Sequence, residues 1–283
     1  MIAADFQYHR PATVAEAQEL LAKFGEDAKI LAGGQSLIPL MKFRLAQPAH
    51  VIDLGRIGEL RGIREENGAI AIGAMTTHYE IESSDLLKAK CPLLAATAAT
   101  IGDVQVRNLG TIGGSAAHAD PAADYPAALL ALEVEFVAAW TRTIKANDFF
   151  VDMLATALRP NEILTQIRIP LHPSGTSASY QKFAQKASGF AICGVAALVT
   201  KSNGKCTRAR VGITGIAGKA YRATAVERAL DGKPLTVETI AAAAAKAANG
   251  IEPLSDIHAS GEFRKKLARV YTRRALIEAA LNR

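Results

Sequence analysis

Two glycine-rich segments contain the residues best suited to bind an anion. Residues 31–37 read LAGGQSL, and residues 108–115 read NLGTIGGS. Because glycine lacks a Cβ, the N–H groups of adjacent glycines can approach a ligand closely and form an anion-binding nest. Gly33 and Thr111 are 78 positions apart (111 − 33). Two nests this far apart suit an extended ligand that carries a diphosphate.

Each segment also has a simpler interpretation as an ordinary turn, because a lone Gly-Gly pair is more often a turn than a phosphate-binding loop. Neither segment has the spacing of a Walker loop or of a Rossmann fingerprint. Those two phosphate-binding mechanisms are therefore not supported. The choice between a turn and a nest depends on the flanking sequence.

The flanking sequence resembles a known family. Residues 31–45, LAGGQSLIPLMKFRL, and residues 104–124, VQVRNLGTIGGSAAHADPAAD, resemble the FAD-binding medium subunit of the molybdenum hydroxylases. This is the family of xanthine dehydrogenase and aerobic carbon monoxide dehydrogenase. Residues 69–76, AIAIGAMT, and 162–170, EILTQIRIP, match the same family, and the resemblance extends over essentially the whole chain. The carbon monoxide dehydrogenase-like branch is the most similar.

The resemblance implies an α+β fold in three parts. A two-part FAD-binding domain of the vanillyl-alcohol-oxidase or PCMH type would comprise an α/β subdomain, residues 1–55, and an α+β subdomain, residues 56–172. Residues 173–283 would form a small C-terminal domain with a β-sheet and three helices. We expect these boundaries because the strand–helix alternation changes near residue 62 and a turn-rich linker begins at residue 171.

The resemblance also implies a set of FAD contacts. The diphosphate would lie between the two glycine segments, and the sugar region and flavin ring would contact residues further along the chain. On the first side of the diphosphate are Ala32, Gly33, Gly34, Gln35, Ser36 and Leu37, and on the second are Thr111, Ile112, Gly113, Gly114 and Ser115. Asp124 matches an acidic contact to the sugar region. Ile101, Leu164, Lys182 and Phe190 match contacts at the flavin, with Phe190 over the isoalloxazine.

Two of these positions depart from the family pattern. Ser115 stands where asparagine is usual, and Phe190 stands where tyrosine is usual. A short polar side chain and a stacking surface both survive, so we expect changes in redox potential or acceptor choice and no loss of FAD binding. His118 lies four positions after Gly114, so it could lie near the flavin. We favour a structural role for it over a role in proton transfer.

The function implied by the resemblance is electron transfer. A large molybdopterin subunit would oxidise the substrate, a small 2Fe-2S subunit would pass electrons to FAD on this chain, and a quinone, NAD or oxygen would accept them. The expected assembly is a dimer of heterotrimers, with no catalytic residue and no metal ligand on this chain. Two alternatives remain: a self-contained FAD reductase acting on a nucleotide-sugar, and a non-catalytic nucleotide-binding or scaffold module.

Composition is compatible with a cytoplasmic protein. The 283 residues are 49% hydrophobic and 21% charged, without an apolar run of membrane-spanning length or the features of a signal peptide. The three cysteines, Cys91, Cys193 and Cys206, are too few and too far apart for an iron–sulfur cluster. We interpret them as buried thiols and place the metal centres on partner chains.

The net charge of +6 raises the question of nucleic-acid binding. The densest basic patch lies on the predicted C-terminal helix and comprises Arg264, Lys265, Lys266, Arg269, Arg273 and Arg274. A solvated or subunit-facing helix side is the favoured interpretation, because no aromatic-rich strand or recognition helix accompanies the patch. We therefore expect neither nucleic-acid binding nor membrane insertion.

Capping patterns and periodicity predict the elements around these sites. Thr13–Glu16 and Thr224–Glu227 have the spacing of capping boxes, Gly25 and Gly232 would end the helices that follow, and Ser36 would cap a helix over 37–44. Further helices are predicted at 93–100, 125–132, 237–248 and from about 261. Strands are predicted at 29–31, 51–53, 69–72, 134–138, 163–169, 179–183, 191–200 and 208–216, with a hairpin turn at Asn203-Gly204.

Overall fold

The computed structural model describes residues 2–139 and 141–281. Its first unit alternates strands and helices. The elements are β1 (Gln7–His9), α1 (Val14–Phe24), β2 (Ala28–Leu31), α2 (Leu37–Lys42) and β3 (His50–Asp53). The three strands form a parallel sheet in the order β1-β3-β2. The first glycine segment therefore connects the end of a parallel strand to a helix, which is a favourable position for binding an anion.

Local sequence explains the ends of α1. The Thr13 side chain accepts a hydrogen bond from the Glu16 amide, and the Glu16 carboxylate accepts one from the amide of Ala12. Gly25 ends the helix with a φ of 54°, as predicted. The predicted cap of α2 is wrong, because the Ser36 side chain makes no capping hydrogen bond. That helix also ends at Lys42, two residues earlier than predicted.

The second unit surrounds an antiparallel sheet. Its helices are α3 (His78–Ser83), α4 (Asp85–Lys90), α5 (Pro92–Ala99), α6 (Val104–Leu109), α7 (Ile112–His118), α8 (Tyr125–Ala131) and α9 (Ala146–Phe149). Its strands are β4 (Ile63–Glu66), β5 (Ala69–Gly73), β6 (Glu135–Ala138), β7 (Arg142–Lys145), β8 (Phe150–Asp152), β9 (Ala155–Thr156) and β10 (Leu164–Pro170). The main sheet has the order β4-β5-β10-β6-β7. Tyr125, Phe136 and Phe149 are fully buried in its core, where the two phenylalanine rings stack with centroids 3.7 Å apart.

The third unit packs three helices on a second antiparallel sheet. Its elements are β11 (Thr176–Ala184), β12 (Ala191–Ser202), β13 (Lys205–Thr214), β14 (Tyr221–Arg222), α10 (Thr224–Leu230), α11 (Val237–Ala244) and α12 (Gly261–Leu281). The strands pair in chain order. The turn at Asn203-Gly204, with both residues at positive φ, joins β12 to β13 as predicted. The expected α+β fold with a C-terminal sheet and three helices is thereby confirmed.

Two features of the third unit differ from the sequence predictions. The helix α10 begins at Thr224, but Ala223 is its cap residue and no side chain caps it. Glu227 instead accepts hydrogen bonds from Arg222 and from the amide of Val211. Arg264 is not part of the basic surface patch. It is 4% exposed, and its guanidinium donates to the carbonyls of Ile192 and Gly215.

The second and third units are held together along α8. A Cβ on Gly212 of β13 would lie 2.9 Å from the carbonyl carbon of Ala127, so this strand can approach the helix backbone only as glycine. At the end of α8, the Glu133 carboxylate contacts three arginines of the third unit: Arg208, Arg210 and Arg222. The Arg210–Glu133 distance is 2.6 Å. These contacts fix the C-terminal unit against the segment that carries Asp124.

Candidate functional site

The two glycine segments lie in direct contact. A Cβ on Gly33 would lie 2.7 Å from the Gly110 Cα and 2.8 Å from the Leu109 carbonyl carbon, with the Leu109 oxygen nearer still. A Cβ on Gly114 would lie 3.2 Å from the Cβ of Ala32. Real Cβ atoms essentially never approach other heavy atoms within 3.0 Å. Gly33 is therefore required for the two segments, 78 positions apart, to meet.

The first segment presents unpaired backbone N–H groups. Among the described residues, no acceptor receives a hydrogen bond from the amides of Gly33, Gly34, Gln35 or Ser36. Gly34 is buried and has a φ of 73°, a left-handed conformation that turns successive amides toward one side. Gly34 is buried and buried amides are nearly always paired, so its free N–H, beside three further unbonded amides, indicates a place where a ligand supplies the acceptor. An anion with several oxygens fits this arrangement.

The second segment does not form a nest, and this part of the sequence prediction is wrong. The amides of Ile112 and Gly113 donate to the carbonyls of Thr76 and Ala74, at 3.0 and 2.9 Å. The amide of Gly114 donates to the Thr111 hydroxyl at 3.1 Å, and that of Ser115 to the Thr111 carbonyl at 3.0 Å. These bonds cap α7 and fix it against the sheet. The segment thus forms a rigid wall beside the free amides of the first segment, and its own amides at residues 112–115 are already paired within the protein.

The residues of the second glycine segment differ in how far they are buried. Thr111, Ile112 and Gly113 are buried, whereas Gly114 and Ser115 are partly exposed. A Cβ on Gly113 would lie 2.5 Å from the Ala74 Cβ, so this glycine allows close packing of α7. Gly114 and Ser115 are the members with surface available to a ligand. The role predicted for the buried members as direct cofactor contacts stays a prediction.

The chain between Thr100 and Ser115 connects the glycine segments to the other predicted contacts. At its start, the Thr100 carbonyl accepts a hydrogen bond from Lys182 at 2.9 Å. A Cβ on Gly189 would lie 3.5 Å from the Cα of Gly102, so the loop that carries Phe190 also packs here. The six-residue helix α6 then spans about 9 Å, and its C-terminal end contacts Gly33. The predicted contacts therefore lie along an extended path.

Asp124 and Lys182 form a buried ion pair between the second and third units. The distance from Lys182 Nζ to Asp124 Oδ2 is 2.8 Å, and the two side chains are 7% and 5% exposed. The Tyr180 hydroxyl donates to Asp124 Oδ1 at 2.5 Å. Burial raises the pKa of Asp124, and the Lys182 and Tyr180 contacts oppose that shift. Sequence reasoning treated Asp124 and Lys182 as separate contacts and missed Tyr180, although its position two residues before Lys182 puts both side chains on one face of β11.

The predicted flavin contacts differ in their exposure. Leu164, at the start of β10, is 5% exposed, and Ile101 is partly exposed at the end of α5. Phe190 is 45% exposed, on a loop closed by a 2.8 Å hydrogen bond from the Gln185 amide to its carbonyl. Of the three, the Phe190 ring has the most surface to offer a planar ligand. Ile101 and Phe190 lie on the two segments that meet at Thr100 and Gly102.

Two further residues, missed from the sequence, support this region. Arg107 of α6 donates to the carbonyls of Ile101 and Gly102, at 3.2 and 3.3 Å, and its Nε bonds to Glu82 at 2.7 Å. His78 is 4% exposed beneath the second glycine segment, where burial lowers its pKa to about 4. A Cβ on Gly110 would lie 2.6 Å from the His78 ring nitrogen Nε2. For Arg107, the only sequence signal was its position within residues 104–124, the second segment that resembles the family.

Metal chemistry has no evident location on the described part of the chain. Its histidine, cysteine, aspartate and glutamate side chains form no group of three or more that could hold a metal ion. The three cysteines are free and buried, as predicted. Burial raises the pKa of the Cys91 and Cys193 thiols to about 12.

Within residues 2–139 and 141–281, no helix combines the length and the hydropathy needed to cross a bilayer.

Comparison with known proteins agrees with this geometry. Residues 4–172 match the family described as the FAD binding domain in molybdopterin dehydrogenase, and residues 178–279 match the CO dehydrogenase flavoprotein C-terminal domain. The first match covers both glycine segments and Asp124. The second covers Lys182 and Phe190. The buried ion pair thus joins residues from the two matched domains.

Full-length relatives and solved structures show the same similarity. The chain is 42% identical to the carbon monoxide dehydrogenase medium chain of Hydrogenophaga pseudoflava, over 98% of this chain and 97% of the relative. It is 35% identical to the glyceraldehyde dehydrogenase medium chain of Sulfolobus acidocaldarius, over 99% of this chain and 100% of the relative. A carbon monoxide dehydrogenase structure from Hydrogenophaga pseudoflava matches with a TM-score of 0.96 at 44% identity, over 99% of this chain and 98% of that one. The chain belongs to the family of FAD-binding medium subunits of molybdenum hydroxylases.

Proposed function

We propose that this chain binds FAD along the surface formed by its two glycine segments and serves as the electron-transfer subunit of a molybdenum-containing hydroxylase or dehydrogenase. The four unpaired amides of residues 33–36, beside the partly exposed Gly114 and Ser115, are the observation that carries the proposal. A diphosphate supplies several negatively charged acceptors to such amides. The family match over residues 4–172 supports FAD as the molecule that carries the diphosphate.

The remaining contacts follow the extended path of residues 100–115. We assign the FAD diphosphate to the Gly33–Gly34 end and the flavin ring to the end near Ile101 and Phe190. The full proposed contact set is Ala32, Gly33, Gly34, Gln35, Ser36, Leu37, Ile101, Thr111, Ile112, Gly113, Gly114, Ser115, Asp124, Leu164, Lys182 and Phe190. Asp124 would accept hydrogen bonds from hydroxyl groups of the sugar region, and Phe190 would shield one side of the ring.

The chemistry of the reaction is supplied by the cofactor and the partner chains. Bound FAD would provide a redox centre between an iron–sulfur partner and an external acceptor such as a quinone, NAD or oxygen. This chain's own residues bind and orient the cofactor. The ion pair of Asp124 and Lys182 would add fixed charges of both signs near the site. We propose no residue of this chain as a catalytic acid, base or nucleophile.

Partner subunits are part of the proposal. Relatives are named as medium chains or medium subunits, which are components of larger enzymes. The names of relatives refer to different substrates: carbon monoxide, nicotine, glyceraldehyde and caffeine. Because similar medium chains accompany different substrates, we assign substrate choice to a large molybdopterin subunit. We further propose a small 2Fe-2S subunit, an assembly of two heterotrimers and a cytoplasmic location.

Co-purification tests this proposal directly. The chain is expressed from its own genomic neighbourhood with an affinity tag, and the purified material is analysed by absorption spectroscopy and on a denaturing gel. We expect a flavin spectrum together with one smaller and one larger co-purifying chain. A flavin spectrum from the chain alone, with turnover of NADPH, would support the self-contained reductase. Colourless protein that stays colourless after FAD is added would contradict both.

A further inference from the structure

The hydroxyl of Tyr180 has one evident purpose in the structure, which is to hold Asp124. It donates to Asp124 Oδ1 at 2.5 Å, while Lys182 Nζ lies 2.8 Å from Oδ2. Burial raises the pKa of Tyr180 well above its usual value, so the phenol keeps its proton and remains the donor. The two carboxylate oxygens of Asp124 therefore have different partners, one neutral and one cationic.

Asp124 keeps acceptor capacity that Tyr180 and Lys182 do not use. An ionised carboxylate has about four lone-pair positions, of which the two partners occupy two. Keeping this carboxylate ionised requires both partners, because a buried charge is unfavourable unless it is paired and hydrogen-bonded. Asp124 is only 5% exposed, so the side chain has little freedom to reorient. Its two partners therefore fix which lone-pair positions of the carboxylate stay unused.

The surrounding structure is shaped to admit the Tyr180 hydroxyl. A Cβ on Gly194 of β12 would lie 2.8 Å from Thr214 Cγ2 and 3.1 Å from Tyr180 Cζ, with the hydroxyl oxygen nearer still. Thr214 in turn lies within hydrogen-bond distance of the carbonyls of Pro121 and Ala123, at 2.7 and 2.8 Å. The segment leading to Asp124 is thus fixed from the same strands that hold Tyr180. A phenylalanine would fill the ring volume, so the hydroxyl itself requires an explanation.

We propose that Tyr180 is a positioning residue of the cofactor site, whose hydroxyl orients Asp124 to accept hydrogen bonds from the sugar region of FAD. This inference rests on the proposed function, because it assumes that FAD contacts Asp124. It adds a residue outside the predicted contact set. It also extends the role of the C-terminal unit, which already contributes Lys182 and Phe190 to the proposed contact set, by a second residue of β11.

The test compares Tyr180→Phe with Tyr221→Phe. Tyr221 is also a buried tyrosine of the C-terminal sheet, and its hydroxyl donates to the Ala247 carbonyl at 3.1 Å, away from Asp124. The dissociation constant for FAD is measured from flavin fluorescence between about pH 8 and pH 5, with the fold monitored by circular dichroism. We expect Tyr180→Phe to weaken FAD binding about tenfold at pH 8, the size typical of a hydrogen bond to a charged group. Gly194→Ala, which displaces the hydroxyl, should act in the same direction.

The pH profile separates positioning from simple packing. Without the Tyr180 hydroxyl, the pKa of Asp124 rises further, so in Tyr180→Phe the affinity should fall again as the pH decreases. Lys182, Tyr125 and Cys193 are the other titratable groups nearest this cluster. Burial raises the pKa of Tyr125 well above its usual value and that of Cys193 to about 12, so both stay neutral over this range. The control variant should keep the pH profile of the unmodified chain.

The outcomes distinguish a failure of the proposed function from a failure of the role proposed for Tyr180. If the unmodified chain fails to bind FAD, the proposed function fails. If the unmodified chain and Tyr221→Phe bind FAD, and Tyr180→Phe binds it with the same affinity and pH profile, only the role of Tyr180 is overturned. Equal losses in Tyr180→Phe and Tyr221→Phe would also overturn it, because they would reflect a general loosening of the C-terminal unit.

Discussion

The contact between the two glycine segments can be tested by adding one methyl group. In Gly33→Ala, the new Cβ would lie 2.7 Å from the Gly110 Cα, whereas ordinary contacts begin at 3.4 Å. The two segments must therefore separate by at least 0.7 Å at this point (3.4 − 2.7), and the obstacle is backbone, which cannot rotate away. Gly33 does not have a positive φ, so the effect is steric and not conformational.

The magnitude follows from the cost of overpacking. Inserting a methyl group into a closely packed site costs about 1–3 kcal/mol. If this cost is paid only in the state that holds the cofactor, FAD binding weakens about 5- to 150-fold. If the segments also separate in the free protein, the same cost appears as a lower free energy of unfolding. Both quantities are measurable on one preparation, by flavin fluorescence titration and by urea denaturation.

Gly58→Ala is the matched control for this variant. A Cβ on Gly58 would meet nothing within 4 Å, and Gly58 also lacks a positive φ. We expect this variant to bind FAD as the unmodified chain does and to unfold at the same urea concentration. If Gly33→Ala also matched the unmodified chain in both affinity and stability, the close contact of the glycine segments would be refuted.

Three further predictions concern the supports of the site. Thr111→Val should destabilise α7 by about 1 kcal/mol in urea denaturation, because the hydroxyl that caps the helix is lost, whereas Thr111→Ser should retain most of the stability. Lys182→Met should cost about 3–5 kcal/mol, since it leaves Asp124 buried without its cation. A double variant with Asp124→Asn should recover part of that loss, and no recovery would contradict the pairing. Burial lowers the pKa of His78 from 6.5 to about 4, so stability should fall by about 3 kcal/mol as the pH drops between those values. His78→Gln should flatten this part of the profile, and a profile that stayed the same in this variant would contradict the assignment.

The sequence predicted the larger features of this structure well. Periodicity and apolar runs located the first α/β unit, the second sheet and the three C-terminal helices, because elements buried on one face show a regular apolar spacing and strands buried on both faces show a continuous apolar run. The two glycine segments, which the sequence predicted to hold a diphosphate from two sides, lie in direct contact in the structure. Gly25 ended α1 as predicted, since a left-handed residue is needed there.

The details that depend on tertiary contacts could not be predicted. Free amides at residues 33–36 and paired amides at residues 112–115 look alike in sequence, because their partners, such as Ala74 and Thr76, come from another strand end. Arg264 resembled its basic neighbours on α12, yet it faces inward and binds backbone carbonyls. Glu227 has the spacing of a cap residue, but Arg222 attracts its carboxylate more strongly than a helix end does. The partnership of Asp124 with Tyr180 crosses 56 positions and depends on how two units pack.

The most direct test of the central claim compares FAD with riboflavin in equilibrium titrations of the purified chain. Riboflavin has the flavin ring but no diphosphate, so it cannot use the free amides of residues 33–36. We predict stoichiometric binding of FAD and binding of riboflavin that is weaker by at least about 100-fold, the loss expected when two or more charge-assisted hydrogen bonds are removed. Equal affinity for the two flavins, or no binding of FAD, would contradict the assignment of the first glycine segment as the diphosphate site.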